Sequence, residues 1–404
     1  MKLNDSILAH SAAIAEIRRD IHAHPELSYQ ENRTADIVAA KLAEWGIPTH
    51  RGLGKTGVVG TIVGKKTASA NNGKANAIGL RADMDALPIQ EANQFEHTST
   101  HAGKMHACGH DGHTAMLLGA AQHLAANPDF AGTVYVIFQP AEEGGAGAKA
   151  MIDDGLFTQF PMDAVFGLHN WPGAALGTIG MTPGPMMASS NEFTLTIKGR
   201  GAHAALPHNG ADPVMAAVNL AQALQTILTR NKKPVDPAVL SITQIHAGDA
   251  YNVIPNSAVV AGTIRTFTLE VLDLIEQRLR DICAGIAAAF DVAIEIEFDR
   301  NYPPLINDVA AAEFCRSVAA SIVGADNVVY GQEATMGAED FAFMLLEKPG
   351  CYVFAGNGLG DHRFHGHGAG PCMLHNPSYD FNDQLIPIGV SYWVALAQQW
   401  FERK

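Results

Sequence analysis

Residues 132–148 read GTVYVIFQPAEEGGAGA. The first eight are mostly β-branched or aromatic and form a short apolar run, which predicts a buried strand. The rest is a glycine-rich loop holding two adjacent acids, Glu142 and Glu143. KAMIDDGLF (149–157) then reads as helical. Before this stretch, TAMLLGAAQHLAAN (114–127) predicts a helix stopped near Pro128; after it, DAVFGLHN (163–170) predicts another strand. The pattern extends upstream. TADIVAAKLAEWGI (34–47) predicts a helix ending at Gly46, and GVVGTIVG (57–64) and ANAIGLRADMDAL (75–87) contain buried strands. Alternation of this kind implies an α/β fold, with a mixed or parallel sheet covered by helices on both faces. In such sheets the chemistry collects at the strand ends.

Residues 187–301 follow a different grammar. NEFTLTIKG (191–199) is a strand, and DPVMAAVNLAQALQTILTR (212–230) is a helix with proline at its start. AVLSITQIHAG (238–248) and SAVVAGTIRTF (257–267) are strands. LEVLDLIEQRLRDICAGIAAAF (269–290) is a long helix, and VAIEIEF (292–298) alternates cleanly. The order β-α-β-β-α-β fits a small self-contained α+β domain. The turn-rich flanks PGPMMASS (183–190) and DRNYPPLIND (299–308) read as its hinges. The expected organisation is a larger domain from 1–186 and 302–404, interrupted by a smaller one at 187–301.

Composition narrows the function. The 404 residues are 47% hydrophobic and 17% charged, a globular balance with a core large enough to need no disulfide. A net charge of −14 argues against nucleic acid or an anionic membrane as partner. Five scattered cysteines make no disulfide framework and suggest a reducing compartment. The N-terminal segment has no apolar signal-peptide run, and Asp5, Glu16 and Asp20 count against a transit peptide. No stretch approaches a membrane span. A cytoplasmic protein is expected.

The candidate chemistry lies in a few motifs. HACGHDGH (106–113) places His106, Cys108, His110 and His113 within eight positions. Thiolate and imidazole suit Zn²⁺ and its neighbours, and no further closely spaced Cys or His completes a structural zinc site. If the segment is extended, Cys108 and His110 share a face, but so does His106, so parity leaves the ligands open. Glu142 and Glu143 can divide labour, one as ligand and one as general base; two solvated acids at a helix N-terminus are the alternative. His169 and His375 sit at strand or loop ends. Cys108, His110, Glu143, His169 and His375 together offer five donors, about right for two metals sharing a ligand. Asp83 and Asp85 share a strand face, and either could orient a ligating histidine. His203, Asn252 and Arg265 are candidates for substrate contact, His203 and Asn252 as oxyanion donors and Arg265 as a carboxylate grip.

Taken with HPELSYQE (24–31), RADMDALP, QPAEEGG, KGRGAHAALPH and LHNPSYDFND, these motifs resemble, in order over nearly the whole chain, one amidohydrolase subgroup. It includes hippurate hydrolases, N-acyl-amino-acid amidohydrolases and plant auxin-conjugate hydrolases, within the aminoacylase/carboxypeptidase-G clan of metallopeptidases. The resemblance implies a metallopeptidase catalytic domain interrupted by a lid or dimerisation domain. It implies two divalent ions, Zn²⁺ or Mn²⁺ with Co²⁺ or Ni²⁺ as alternatives, held by Cys108, His110, Glu143, His169 and His375. Glu142 would be the general base, and Asp85 would support the metal ligands from behind. His203 would reach the reacting carbonyl across a homodimer or larger homo-oligomer, and Asn252 and Arg265 would contact substrate. In the wider clan a His-x-Asp pair supplies a ligand; here Asp83-Met84-Asp85 stands there, which leaves the role of Asp83 open. The expected reaction is hydrolysis of a small N-acyl amino acid. A dipeptidase or carboxypeptidase of the same clan, or a metal- or ligand-binding protein without turnover, is the alternative.

Overall fold

A computed structural model describes residues 1–66 and 76–403. It divides into two compact units: 1–184, 306–333 and 343–404 form the first, and 185–305 with 334–342 the second.

The first unit is built on one mixed sheet. In chain order its strands are β1 (Thr49–Leu53), β2 (Gly57–Val63), β3 (Ala77–Asp83), β4 (Thr133–Gln139), β5 (Ala164–Trp171) and β6 (Ile179–Met181). The four strands of the second unit's main sheet are β7 (Ser190–Lys198), β8 (Ala238–Ala247), β9 (Ser257–Thr266) and β10 (Ala293–Tyr302). The first unit then adds β11 (Val328–Tyr330) and β12 (Gly350–Gly356). Its eight-stranded order is β1-β2-β4-β3-β5-β12-β6-β11. The central β4, β3, β5 and β12 run parallel. β3 and β12 are buried along their whole length, as expected of strands covered on both faces.

Helices α1 (Asp5–Ala23), α2 (Asn32–Glu44), α3 (His110–Ala126), α7 (Val309–Val323) and α8 (Ile386–Glu402) pack into the core of this unit. The short α4 (Gly147–Asp153) packs against β1 and β4, and its Met151 is buried. α3 carries no clean apolar stripe because it is buried nearly all round. It starts at His110, four residues before the helix expected from sequence, after Gly109 at φ 93°. The octet is therefore a left-handed turn running into a helix and not an extended segment, so strand parity is not what sets Cys108 and His110 together.

The second unit is the expected β-α-β-β-α-β element. α5 (Pro213–Thr226) and α6 (Leu269–Phe290) cover an antiparallel sheet of order β8-β9-β7-β10. β9 alternates buried and half-buried residues, the mark of a sheet with one covered face. Among the described residues no helix is long and apolar enough to cross a membrane.

Candidate metal centre and active site

The parallel strands of the first unit end at a common edge, and the polar motifs follow from those ends. β3 delivers Asp83 and, two residues on, Asp85. β4 runs into the Glu142–Glu143 turn, β5 carries His169, and the turn before α3 carries Cys108. His375 comes from the long turn-rich loop after β12, and its backbone N–H donates to the Ala107 carbonyl at 2.7 Å.

These donors converge. The ligand atoms of Cys108, His110 and His169 lie within 4.8 Å of one another, and so do those of Cys108, Glu143 and His375. The Cys108 sulfur belongs to both groups. It stands 3.4 Å from His169 Nε2, and His375 Nε2 stands 3.2 Å from Glu143 Oε1. His169 Nδ1 donates to the Asn170 carbonyl at 2.6 Å, which leaves the Nε2 lone pair facing the sulfur side. His110 Nδ1 donates to Asp85 at 3.2 Å, and its buried Nε2 has no hydrogen-bond partner among the described residues. An orphaned imidazole nitrogen facing thiol and carboxylate donors is what a cation site offers, and this donor set fits borderline-soft divalent metals.

Electrostatics point the same way. Burial, with the carboxylates of Glu143, Glu142 and Asp83 nearby, pushes the Cys108 thiol well above its ordinary range. Burial also pulls His169 down, with His113 adding to it, so its imidazole is neutral. Burial opposes a charge on His110, yet Asp83 and Asp85 outweigh it and lift the ring to about 10. The protons on Cys108 and His110 are those that a cation would displace.

The acid turn is held rigidly. Asp85 accepts four bonds: His110 Nδ1 at 3.2 Å and the Glu142 N–H at 3.1 Å on Oδ1, the Glu143 N–H at 3.0 Å and Ser28 Oγ at 2.8 Å on Oδ2. Burial works against its charge, but these donors hold its pKa below the ordinary value. HPELSYQE acts as a brace. Buried Glu31 accepts the Ala141 N–H at 2.9 Å and Thr56 Oγ1 at 2.6 Å, and Tyr29 Oη donates to the Gly145 carbonyl at 2.6 Å. Ala141 and Ala146 at the two ends of the turn both take positive φ, so the brace holds a backbone that alanine adopts reluctantly.

Asp83 is oriented by Arg81 (2.8 Å) and His113 Nδ1 (2.6 Å), and approaches His110 Nε2 only to 3.6 Å. His106, open as a ligand from sequence, joins neither sulfur-containing group; both its ring nitrogens are buried without hydrogen-bond partners among the described residues. Burial, with the charges of His22 and His110 adding to it, lowers it to about 4. Glu142 is buried beside Glu143, and its carboxylate oxygen lies within 4.8 Å of donor atoms of Glu143 and His110.

In the second unit His203 and Asn252 lie at a short two-stranded antiparallel pairing of Ala202–His203 with Val253–Ile254. His203 pairs with Val253, and Ala204 N–H donates to the Asn252 carbonyl at 3.0 Å. His203 and Asn252 are exposed. Arg265 lies on β9 with Nη1 donating to Ser190 Oγ, and burial lowers its pKa. Sequence reasoning missed His113, Asn170 and Tyr379. All three lie inside quoted motifs, but only their contacts, described below, give them a role.

Comparison with known proteins gives a consistent picture. The profile of Peptidase family M20/M25/M40 matches residues 79–399. The chain is 41% identical to a hippurate hydrolase of Campylobacter jejuni, over 100% of both chains. It is 44% identical to an N-acetyl-L-cysteine deacetylase of Bacillus subtilis, over 94% of this chain and 85% of that one. A Bacillus subtilis crystal structure described as a dinuclear metal binding peptidase from the M20 family superposes with a TM-score of 0.83 and 34% identity, covering 98% of this chain and 99% of the other.

Proposed function

The chain belongs to Peptidase family M20/M25/M40, and from that premise we propose that it is a metal-dependent amidohydrolase cleaving N-acyl amino acids to a carboxylate and a free amino acid. The observation that carries the reading is Cys108, whose sulfur is common to two donor groups beside Glu142. One ion would take Cys108, His110 and His169, and the other Cys108, Glu143 and His375. Zn²⁺ or Mn²⁺ suits this mixture of sulfur, nitrogen and oxygen, with Co²⁺ or Ni²⁺ able to substitute. When bound, such ions polarise the amide carbonyl and make water a stronger acid.

The chain's own residues supply the proton traffic. Glu142 takes the proton of the attacking water on its carboxylate and returns it to the leaving nitrogen. Asp85 holds both the Glu142 and Glu143 backbones, so base and ligand keep a fixed spacing. His203, supplied by a second copy of the chain, donates to the developing oxyanion. Asn252 and Arg265 hold the amino-acid end, Arg265 by the bidentate geometry a guanidinium offers a carboxylate. The smaller unit serves as lid and dimerisation domain, the assembly is a homodimer or larger homo-oligomer, and five free cysteines suit the cytoplasm.

The deciding experiment assays benzoyl-glycine, acetyl-amino acids and free dipeptides on chelator-stripped protein reloaded with each cation. Metal-dependent release of the amino acid from the acylated substrates is expected. Turnover of dipeptides alone would make the chain a dipeptidase, and no turnover with any cation would make it a binding protein.

A further inference from the structure

Asn170 follows the candidate ligand His169, and every polar group of its amide is used inside this one site. Its Nδ2 donates to the Cys108 carbonyl at 2.7 Å and lies 3.0 Å from His113 Nε2. Its Oδ1 accepts from Tyr379 Oη at 2.8 Å. Its backbone N–H donates to His113 Nε2 at 2.9 Å, and His113 Nδ1 in turn donates to Asp83 at 2.6 Å. Asn170, His113, Asp83 and Tyr379 are all fully buried or within 1% of it.

The amide therefore ties three segments that sequence places far apart. These are the end of β5 with His169, the turn with Cys108, and the loop that brings His375. Gly109 shows how tight the joint is. A Cβ there would come within 2.3 Å of both Asn170 Nδ2 and Tyr379 Oη. The ligand turn can lie flush on the amide only because residue 109 has no side chain, and its φ of 93° makes the same demand.

We propose that Asn170 is the positioning residue of the metal centre, registering the shared sulfur of Cys108 against His169 and the His375 loop. The inference rests on the ligand set proposed above. Asn170 touches neither substrate nor metal; it acts by fixing where the ligands stand, as groups behind a metal ligand commonly do.

Cobalt titration of metal-stripped protein tests it. Co²⁺ bound by a thiolate gives a near-ultraviolet charge-transfer band, which reports the sulfur directly and is independent of turnover. Wild type should show the band and Cys108→Ala should lose it. Absence of the band from wild type would overturn the ligand set and Asn170's role with it. Asn170→Asp keeps the acceptor for Tyr379 but, ionised, loses the donor to Cys108. It should bind Co²⁺ ~10–100-fold more weakly, with an altered band, the range typical for loss of a ligand's supporting partner. Asn170→Ala should lose at least as much. Tyr379→Phe, which removes one hydroxyl from a packed ring, should lose less than either and keeps the test alive if the Asn170 variants do not fold. Variants that melt earlier when metal-free yet bind Co²⁺ with wild-type affinity and band would show a purely structural role and overturn the proposal. So would wild-type affinity in Tyr379→Phe, if that is the variant that folds.

Discussion

His110 and Asp111 are neighbours at the start of α3, yet each belongs to a different buried cluster of histidine and carboxylate. Around Asp111 the protein supplies its own positive charge. Arg18 meets Asp383 at 2.8 Å, Asp111 at 3.4 Å and Asp380 at 3.5 Å. His22 meets Asp111 through Nδ1 at 2.9 Å and Glu91 through Nε2 at 3.2 Å. His367 Nε2 meets Asp380 at 3.0 Å. Around His110, by contrast, a thiol and several carboxylates gather while an imidazole nitrogen stays unpartnered. Both clusters are rich in histidine and acid. Among the described residues both leave buried polar atoms without a hydrogen-bond partner, Asp111 Oδ1 and Asp380 Oδ1 in the first and His110 Nε2 in the second. What separates them is that Arg18 supplies a guanidinium cation to the first, whereas, among the described residues, three-donor groups close enough to share an ion form around His110 and not around Asp111.

If that contrast is right, removing the shared donor should have the largest effect of any single change. Cys108→Ala is expected to lose both ions, and with them all measurable turnover. His106→Ala, two residues away in the same motif, should keep two ions per chain. Metal analysis of the two purified variants decides it; an unchanged metal content in Cys108→Ala would dissolve the distinction between the clusters. Next in size is Glu142→Gln. Loss of a placed general base typically costs ~10²–10⁴-fold. The variant should keep its metal and its fold, because the Glu142 backbone bond to Asp85 does not involve the carboxylate. Near-normal kcat would remove Glu142 from the chemistry.

How far the contrast was legible in sequence depends on what kind of signal carried it. The β-α-β-β-α-β unit follows from hydrophobic period and turn residues, and those are local. Cys108, His110 and Glu143 could be singled out because they lie in dense or adjacent motifs; His169 and His375 are single histidines, and the resemblance to the amidohydrolase subgroup is what assigned them as ligands. The grouping of the five donors could not be read. The early start of α3 at His110 follows from Gly109 in a left-handed turn and from Gly112, where a Cβ would come within 2.2 Å of Phe381. Propensity disfavours a helix through Asp111 and Gly112; packing overrides it. Asn170 reads in sequence like any polar residue after a strand. Its partners, Cys108, His113 and Tyr379, are up to 209 positions away, and a hydrogen-bond network across such separations leaves no periodic trace. Arg18 shows the same limit, since nothing in an amphipathic first helix announces that it closes on Asp383, 365 positions later.

The self-neutralised cluster gives the next test. Arg18→Met keeps the volume and removes the guanidinium that Asp111, Asp380 and Asp383 share, leaving them to His22, His367 and Arg19 respectively. Breaking a buried pair this way costs about 3–5 kcal/mol. Urea denaturation should show that loss while metal content per folded chain stays at two. A loss of about 1 kcal/mol or less, the scale of an exposed pair, would mean that Arg18 is not the charge that neutralises this cluster, and the contrast with the other would fail.

The smallest effect expected is a pH dependence in the self-neutralised cluster. Burial opposes a charge on His22, but Asp111 and Glu91 outweigh it and raise the ring from 6.5 to about 9. The groups facing it are those two carboxylates and the rings of Phe95, His97 and His106. Below pH 6.5 the ring is protonated both folded and unfolded, and its full contribution is present. Between 6.5 and about 9 the folded chain holds a proton that the unfolded chain has lost, so stability falls as pH rises. One proton allows a slope of at most about 1.4 kcal/mol per pH unit. His22→Gln cannot titrate, so its melting temperature should fall less than that of wild type over this window. Parallel curves for the two proteins would show that His22 is neutral in the folded chain, and Arg18 would then be the cluster's chief permanent cation.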